Sequence, residues 1–140
     1  MNLTVLIDTN VMMVALSPKS NLHWIYKAII NGDFQLVVNN EILLEYEEQI
    51  CLRYDKSVVN DFLLILFEAS NVIHHEAYYK WQLIQQDPDD NKFVDCCISA
   101  EADYIVSHDK HFDVLRQIDF PLVNVVNALE FKEIYEKRRR

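Results

Sequence analysis

One glycine, three prolines and three cysteines in 140 residues leave little room for several classes of protein. So little glycine excludes collagen-like repeats and glycine-rich linkers, and a 51% hydrophobic content is not the composition of a disordered chain. Cys51, Cys96 and Cys97 form neither an even framework nor a Cys-x-x-Cys pair, which argues against disulfides and structural zinc. They read as core or free thiols. Long apolar runs are missing too: the stretches at 5–7 and 62–67 fall far short of the roughly 20 residues a membrane helix needs. Met1 to Asp8 carries no basic leader and reaches an aspartate before a signal-peptide core develops, so a cytoplasmic protein with no membrane association is expected. Basic charge is scarce, with 13 Lys and Arg against 22 Asp and Glu, a net charge of −9. The only dense basic run is Lys137-Arg138-Arg139-Arg140. That balance is the reverse of the footprint left by binding nucleic acid through electrostatics alone. An acidic chain can still approach a polyanion if its carboxylates surround divalent cations, which invert the local field and bridge to phosphate.

What is present is an alternation of short apolar runs with helical patterns, and a length suited to one domain spanning 1–140. Residues 3–7 read as a strand buried on both faces that stops at Asp8, with a helix after it. The apolar spacing of Leu22, Ile25, Tyr26, Ile29 and Ile30 predicts a helix over 21–30, stopped by Gly32. A second strand over 34–38 precedes a helix capped by Asn40 and running toward Arg53. Asp55 or Ser57 opens a further helix through Phe67, and Val72-Ile73 suits a short third strand. Asp87-Pro88 opens a helix through Ile98; residues 104–107 form a strand, 112–117 a short helix, 122–126 a strand, and a charged helix follows from Asn127. The expected fold is α/β, a three-layer α/β/α arrangement around a central parallel sheet of four or five strands.

In open α/β sheets ligands bind beyond the carboxyl ends of the strands. Asp8 and Asp109 each follow a strand at that edge; either alone can simply cap the next turn, but two at one edge are harder to dismiss. Asp90 falls at the third position after the Asp87 cap, where a carboxylate can close a capping box. At about 100° per residue it also projects near the centre of the face made by Phe93, Val94, Cys97 and Ile98. Asp95 falls on the opposite side and Asp89 well off the centre, so both read as solvated charges. Glu45 flanks a helix whose buried face is Ile42, Leu43, Tyr46 and Ile50; Glu41, Glu47 and Glu48 compete with it on sequence alone. Clustered carboxylates raise one another's pKa unless a cation compensates, and an all-oxygen donor set favours Mg²⁺ or Mn²⁺ over zinc. His108 and His111 flank Asp109, and His74 adjoins His75, but nothing completes a zinc pattern; they read as structural or surface residues, with His108 a candidate contact for substrate phosphate.

Val5-Leu6-Ile7-Asp8-Thr9-Asn10 resembles the opening motif of the PIN-domain family, and Glu41-Ile42-Leu43-Leu44-Glu45-Tyr46 resembles the segment carrying the family's glutamate. Asp87-Pro88-Asp89-Asp90-Asn91-Lys92-Phe93 and Ala102-Asp103-Tyr104-Ile105-Val106-Ser107-His108-Asp109 resemble its third and fourth motifs. Order and spacing match over essentially the whole chain. The resemblance implies a metal-dependent endoribonuclease in which Asp8, Glu45, Asp90 and Asp109 bind Mg²⁺ or Mn²⁺, and it selects Glu45 from its neighbours. Thr9, Asn10 and Ser107 would then orient the acids or their water, although Thr9 and Asn10 also suit capping. Within the family the chain looks most like the toxins of bacterial toxin-antitoxin pairs, which implies an RNA substrate and a small antitoxin partner. Ser107-His108 departs from the usual Thr followed by Gly or Arg, and Asp113 is a possible extra acid.

A haloacid-dehalogenase-like phosphatase would need an aspartate where Asn10 stands, and a receiver domain would need a middle-strand aspartate and a late lysine. A non-catalytic PIN-like docking module and a housekeeping nuclease stay open as alternatives. Few basic residues on one subunit, and helical Trp24, Leu64 and Trp81, point to a homodimer framing a groove, unless those side chains complete the monomer core.

Overall fold

Val5, Leu6 and Ile7 have no exposed surface at all, as an apolar run between two covering layers requires. They form β1 (Thr4–Ile7) at the centre of a five-stranded sheet. The computed structural model describes residues 3–138, so Arg139 and Arg140 of the basic run lie outside the described residues. The other strands are β2 (Gln35–Val38), β3 (Val72–His74), β4 (Tyr104–Val106) and β5 (Val125–Val126), in the order β3-β2-β1-β4-β5 with every pair parallel. The α/β expectation, with a parallel sheet covered on both sides, is met.

Strand order sets the site. The chain builds outward from β1 through β2 to β3, then returns to the other side of β1 with β4 and β5. The reversal between β1 and β4 is a switch point, and a crevice opens there beyond the strand ends. Helix α1 (Thr9–Ala15) leaves β1 directly, and α2 (His23–Asn31) ends at Gly32, whose φ of 75° supplies the left-handed turn a helix end favours. Helix α3 (Asn40–Arg53) buries Ile42, Leu43, Tyr46 and Ile50, and its cap is Asn39, one residue before the Asn40 expected, with the side chain accepting from Ile42 N at 2.8 Å. Asp55 caps α4 (Lys56–Glu68). Helix α5 (Asn91–Ala100) packs on β1, β2 and β4, and α6 (Ala128–Arg138) follows β5.

Other differences are local. The strand expected over 122–126 is only Val125–Val126, the two residues that pair with Ile105 and Val106 of β4. Residues 75–87 have no regular element; they drape over α5, held by hydrogen bonds from Ile84 N to Asn91 and from Trp81 N to Asp95. Asp95 is therefore 8% exposed and not the solvated charge its helical angle suggests. Trp24 stacks near Phe131 and Tyr135, at ring-centroid distances of 5.4 and 5.0 Å, and so completes the protein's own core. Leu64 is exposed, and Trp81 is half-buried against Tyr79 and Phe120. Among the described residues no helix is long and apolar enough to cross a membrane.

Candidate metal centre

The backbone brings Asp8 and Asp109 to one place before any side chain acts. Asp8 N donates to Val106 O at 2.9 Å, which extends the β1–β4 ladder one residue past β1. Ser107, the residue after β4, then ties the two ends together: its hydroxyl donates to Asp8 Oδ2 at 2.8 Å and accepts from Asp109 N at 3.0 Å. Asp8 is 5% exposed. Burial pushes its pKa up; hydrogen bonds from Ser107 and the Thr9 backbone oppose this, and the charges of Asp109 and Glu45 add to it.

Asp109 Oδ1 accepts from His111 N at 2.9 Å, so the capping use of this residue is real and coexists with its place in the cluster. Asp87 also has two uses. One of its oxygens accepts from Asp89 N at 3.2 Å and caps the 3₁₀ turn Pro88–Asp90; the other lies 3.7 Å from His111 Nδ1. Asp90 ends that turn, 9% exposed, and closes no capping box. Its Oδ2 is buried without a hydrogen-bond partner. Burial, then Asp109, Asp87 and Asp8, raise its pKa to about 7 against the opposing contact with His111.

Glu45 is the half-buried acid of α3, whereas Glu41, Glu47 and Glu48 are exposed. Three groups place it. The hydroxyl of neighbouring Tyr46 donates to Ile7 O and locks α3 against β1; the Thr9 hydroxyl donates to Glu45 Oε1; and Lys92 Nζ lies 3.0 Å from Oε2. The Thr9 hydroxyl thus orients Glu45, while its backbone N–H holds Asp8. Lys92 has a side chain only 5% exposed and also contacts Asp89 at Oδ1 (3.1 Å) and at the backbone oxygen (2.8 Å). Burial works to lower the Lys92 pKa, but Glu45 and Asp89 outweigh it and raise the value.

Asn10 is exposed and lines a cleft of about 340 Å³ with Asp8, Val14, His108 and Asp109. His108 Nε2 accepts from Ala128 N at 3.1 Å, which engages this nitrogen at the start of α6. His74 and His75 hydrogen-bond to Leu66 O and to the Ser99 hydroxyl, in structural roles. Asp113 is exposed, 3.8 Å from Arg116.

The structure thus gathers Asp8, Asp90 and Asp109 at the switch point, with Glu45 at their edge close enough to act on Asp8 electrostatically. Asp87, Lys92 and His111 join them unforeseen. The tight group is Asp87, Asp90, Asp109 and His111, with donor atoms all within 4.8 Å of one another. Crowded carboxylates and a buried oxygen with no hydrogen bond are what a divalent cation would satisfy, so these residues fit one.

Solved structures with this fold include VapBC2 from Rickettsia felis bound to a DNA fragment from their promoter, at 15% identity, 89% of this chain, 98% of that chain and a TM-score of 0.61. FitAcB from Neisseria gonorrhoeae matches at 17% identity, 89% and 98% coverage and a TM-score of 0.54, and FitAB bound to an IR36 DNA fragment at 15%, 89%, 94% and 0.56. No curated protein gives a significant match. The model of the PIN domain matches residues 4–111, which takes in β1, α3, α5 and β4 with the acids they carry, and the chain belongs to the PIN-domain family.

Proposed function

We propose that this chain is a Mg²⁺- or Mn²⁺-dependent endoribonuclease, a single domain over 1–140 that hydrolyses RNA phosphodiester bonds through Asp8, Glu45, Asp90 and Asp109. The observation that carries the reading is the junction of Asp8 and Asp109 through one serine hydroxyl, with the buried Asp90 carboxylate close enough to feel both charges. A divalent cation held by these acids supplies Lewis acidity toward a phosphodiester and lowers the pKa of a water. The chain's own part is positioning. Ser107 fixes the spacing of Asp8 and Asp109, Thr9 and Lys92 hold the Glu45 carboxylate over the strand ends, and Asn10 in the open cleft offers an amide to a substrate phosphate or its water.

The motif resemblance to toxins supports a cytoplasmic toxin held in check by a small antitoxin, while the scarcity of basic charge on one subunit favours a homodimer. The DNA-bound VapBC2 and FitAB structures are compatible with such a setting. The test is cleavage of structured and single-stranded RNAs in Mg²⁺ or Mn²⁺ with Asp8→Asn as control. Cleavage that depends on metal and disappears in the control supports the assignment; cleavage equal in both, or none, overturns it.

A further inference from the structure

We infer that His111 is a metal ligand, completed by Asp87, so that the centre holds a nitrogen donor and prefers a first-row transition ion of the Mn²⁺ class over Mg²⁺. The inference rests on the metal-centre part of the proposed function, through Asp90 and Asp109, and adds two residues that the four motifs do not assign.

The geometry is specific. His111 Nδ1 lies 3.3 Å from Asp109 Oδ1, 3.5 Å from Asp90 Oδ2 and 3.7 Å from Asp87 Oδ2. A ring nitrogen that close to three carboxylates would be expected to hydrogen-bond to one of them, yet it makes no bond of acceptable geometry. Asp90 Oδ2, on a side chain 12% exposed, likewise makes no hydrogen bond of acceptable geometry although His111 Nδ1 is 3.5 Å away. A ring nitrogen and a carboxylate oxygen, 3.5 Å apart and neither engaged in a hydrogen bond of acceptable geometry, therefore face the same small space. Donors within 4.8 Å of one another are close to the span of an octahedral shell, whose opposite ligands stand about 4.2 Å apart at roughly 2.1 Å per bond.

Local structure aims each donor. The Asp109 cap fixes the first turn of Lys110–Gln117, and Phe112 and Leu115 bury that turn's other side, leaving the His111 ring toward the cluster. Asp87 spends one oxygen on Asp89 N and leaves the other directed at His111. Imidazole is a better ligand for Mn²⁺ and its later neighbours than for Mg²⁺, which binds oxygen and gives up water reluctantly. One nitrogen among carboxylates thus shifts selectivity without excluding Mg²⁺.

The test reads the metal and not the reaction. Purified full-length protein is loaded with Mn²⁺ and probed by pulsed electron paramagnetic resonance for coupling to a directly bound nitrogen, while Mn²⁺ and Mg²⁺ affinities are measured by calorimetry. Wild type is expected to show the nitrogen coupling. His111→Ala should lose it together with about tenfold or more in Mn²⁺ affinity, with Mg²⁺ affinity changed less. Asp87→Asn should weaken Mn²⁺ while keeping the coupling. The His111 side chain is 37% exposed, so the variant is expected to fold, and metal-free thermal unfolding checks this. No nitrogen coupling in wild type, or His111→Ala binding Mn²⁺ as wild type does, overturns the inference. Coupling present without any RNA cleavage upholds this ligand set and overturns the nuclease reading alone.

Discussion

Lys92 Nζ stands 3.0 Å from Glu45 Oε2, so a buried cation from the chain itself holds one acid of the cluster in place. An ammonium with a side chain 5% exposed remains charged only because Glu45 and Asp89 compensate its lost hydration. Lys92→Met keeps the stem and removes the charge, leaving Glu45 nearer uncompensated negative charge. The variant is expected to lose about 1–3 kcal/mol in metal-free urea unfolding. Saturating Mg²⁺ should recover more stability in the variant than in wild type, since the ion replaces the missing charge. Equal stabilisation of both by Mg²⁺ would show that Lys92 does not share the acids' field.

The acids themselves give the second prediction. Asp8→Asn, Asp90→Asn and Asp109→Asn should each lower metal-dependent RNA cleavage by about 100-fold or more while the proteins still fold, because each removes a charge from the centre. Glu45→Gln should be severe. Ser107→Ala loosens both Asp8 and Asp109 N and should cost about tenfold in metal affinity. Single-turnover cleavage with calorimetry on the same samples distinguishes lost binding from lost chemistry.

Asp95 shows where angular reasoning about a helix runs out. Its Oδ1 accepts from Trp81 N at 3.0 Å, and its raised pKa is caused first by burial. Asp95→Asn retains an acceptor and should cost about 1 kcal/mol or less, whereas Asp95→Ala orphans the Trp81 N–H and should cost about 1–3 kcal/mol. Cleavage rates should be unchanged in both. Loss of activity in Asp95→Asn comparable to that in Asp90→Asn would mean that α5 presents a different face to the site.

Periodicity made the sheet and its edge legible, since β1 stops at Asp8 and β4 runs into Ser107 and Asp109, whereas Glu45 is picked out from the other acids of α3 only by the motif resemblance. The strand-end positions follow from local rules acting within a few residues. Asp87 and His111 do not, because their relationship joins a turn to a segment more than twenty residues away and depends on where β4 returns in the sheet, and Lys92 meets Glu45 only because α5 packs beside α3. Residues 75–87 carry no period at all, so nothing in the sequence announced that they cover Asp95.

The proposed homodimer is best tested on the outer surface of α3 and α4. Trp24 is spent on Phe131 and Tyr135, but Leu44, Leu52, Leu64 and Phe67 are more than half exposed. Sedimentation at micromolar concentration should show a dimer, and Leu64→Lys combined with Phe67→Lys should shift it to monomer without lowering thermal stability. A wild-type monomer that cleaves RNA at full rate would remove the dimer from the account and leave the single-subunit nuclease.

Proton binding at Asp90 gives the last prediction. Its pKa is about 7 in the fold against 3.8 for an ordinary aspartate, and that of Asp8 is raised as well. Between those values the folded chain keeps a proton that the unfolded chain has released, so metal-free stability from this group falls as pH rises from about 4 to about 7 and levels off above. Asp90→Asn mimics the protonated acid at every pH. With EDTA present, its melting temperature should match wild type near pH 4.5 and exceed it by about 5 °C at pH 8. Saturating Mg²⁺ should reverse the order at pH 8, because the ion takes the place of the proton in wild type and finds a weakened site in the variant. A constant difference between the two proteins from pH 4.5 to 8 would show that Asp90 ionises as an ordinary surface aspartate, and the repulsion argued for the acidic centre would fail with it.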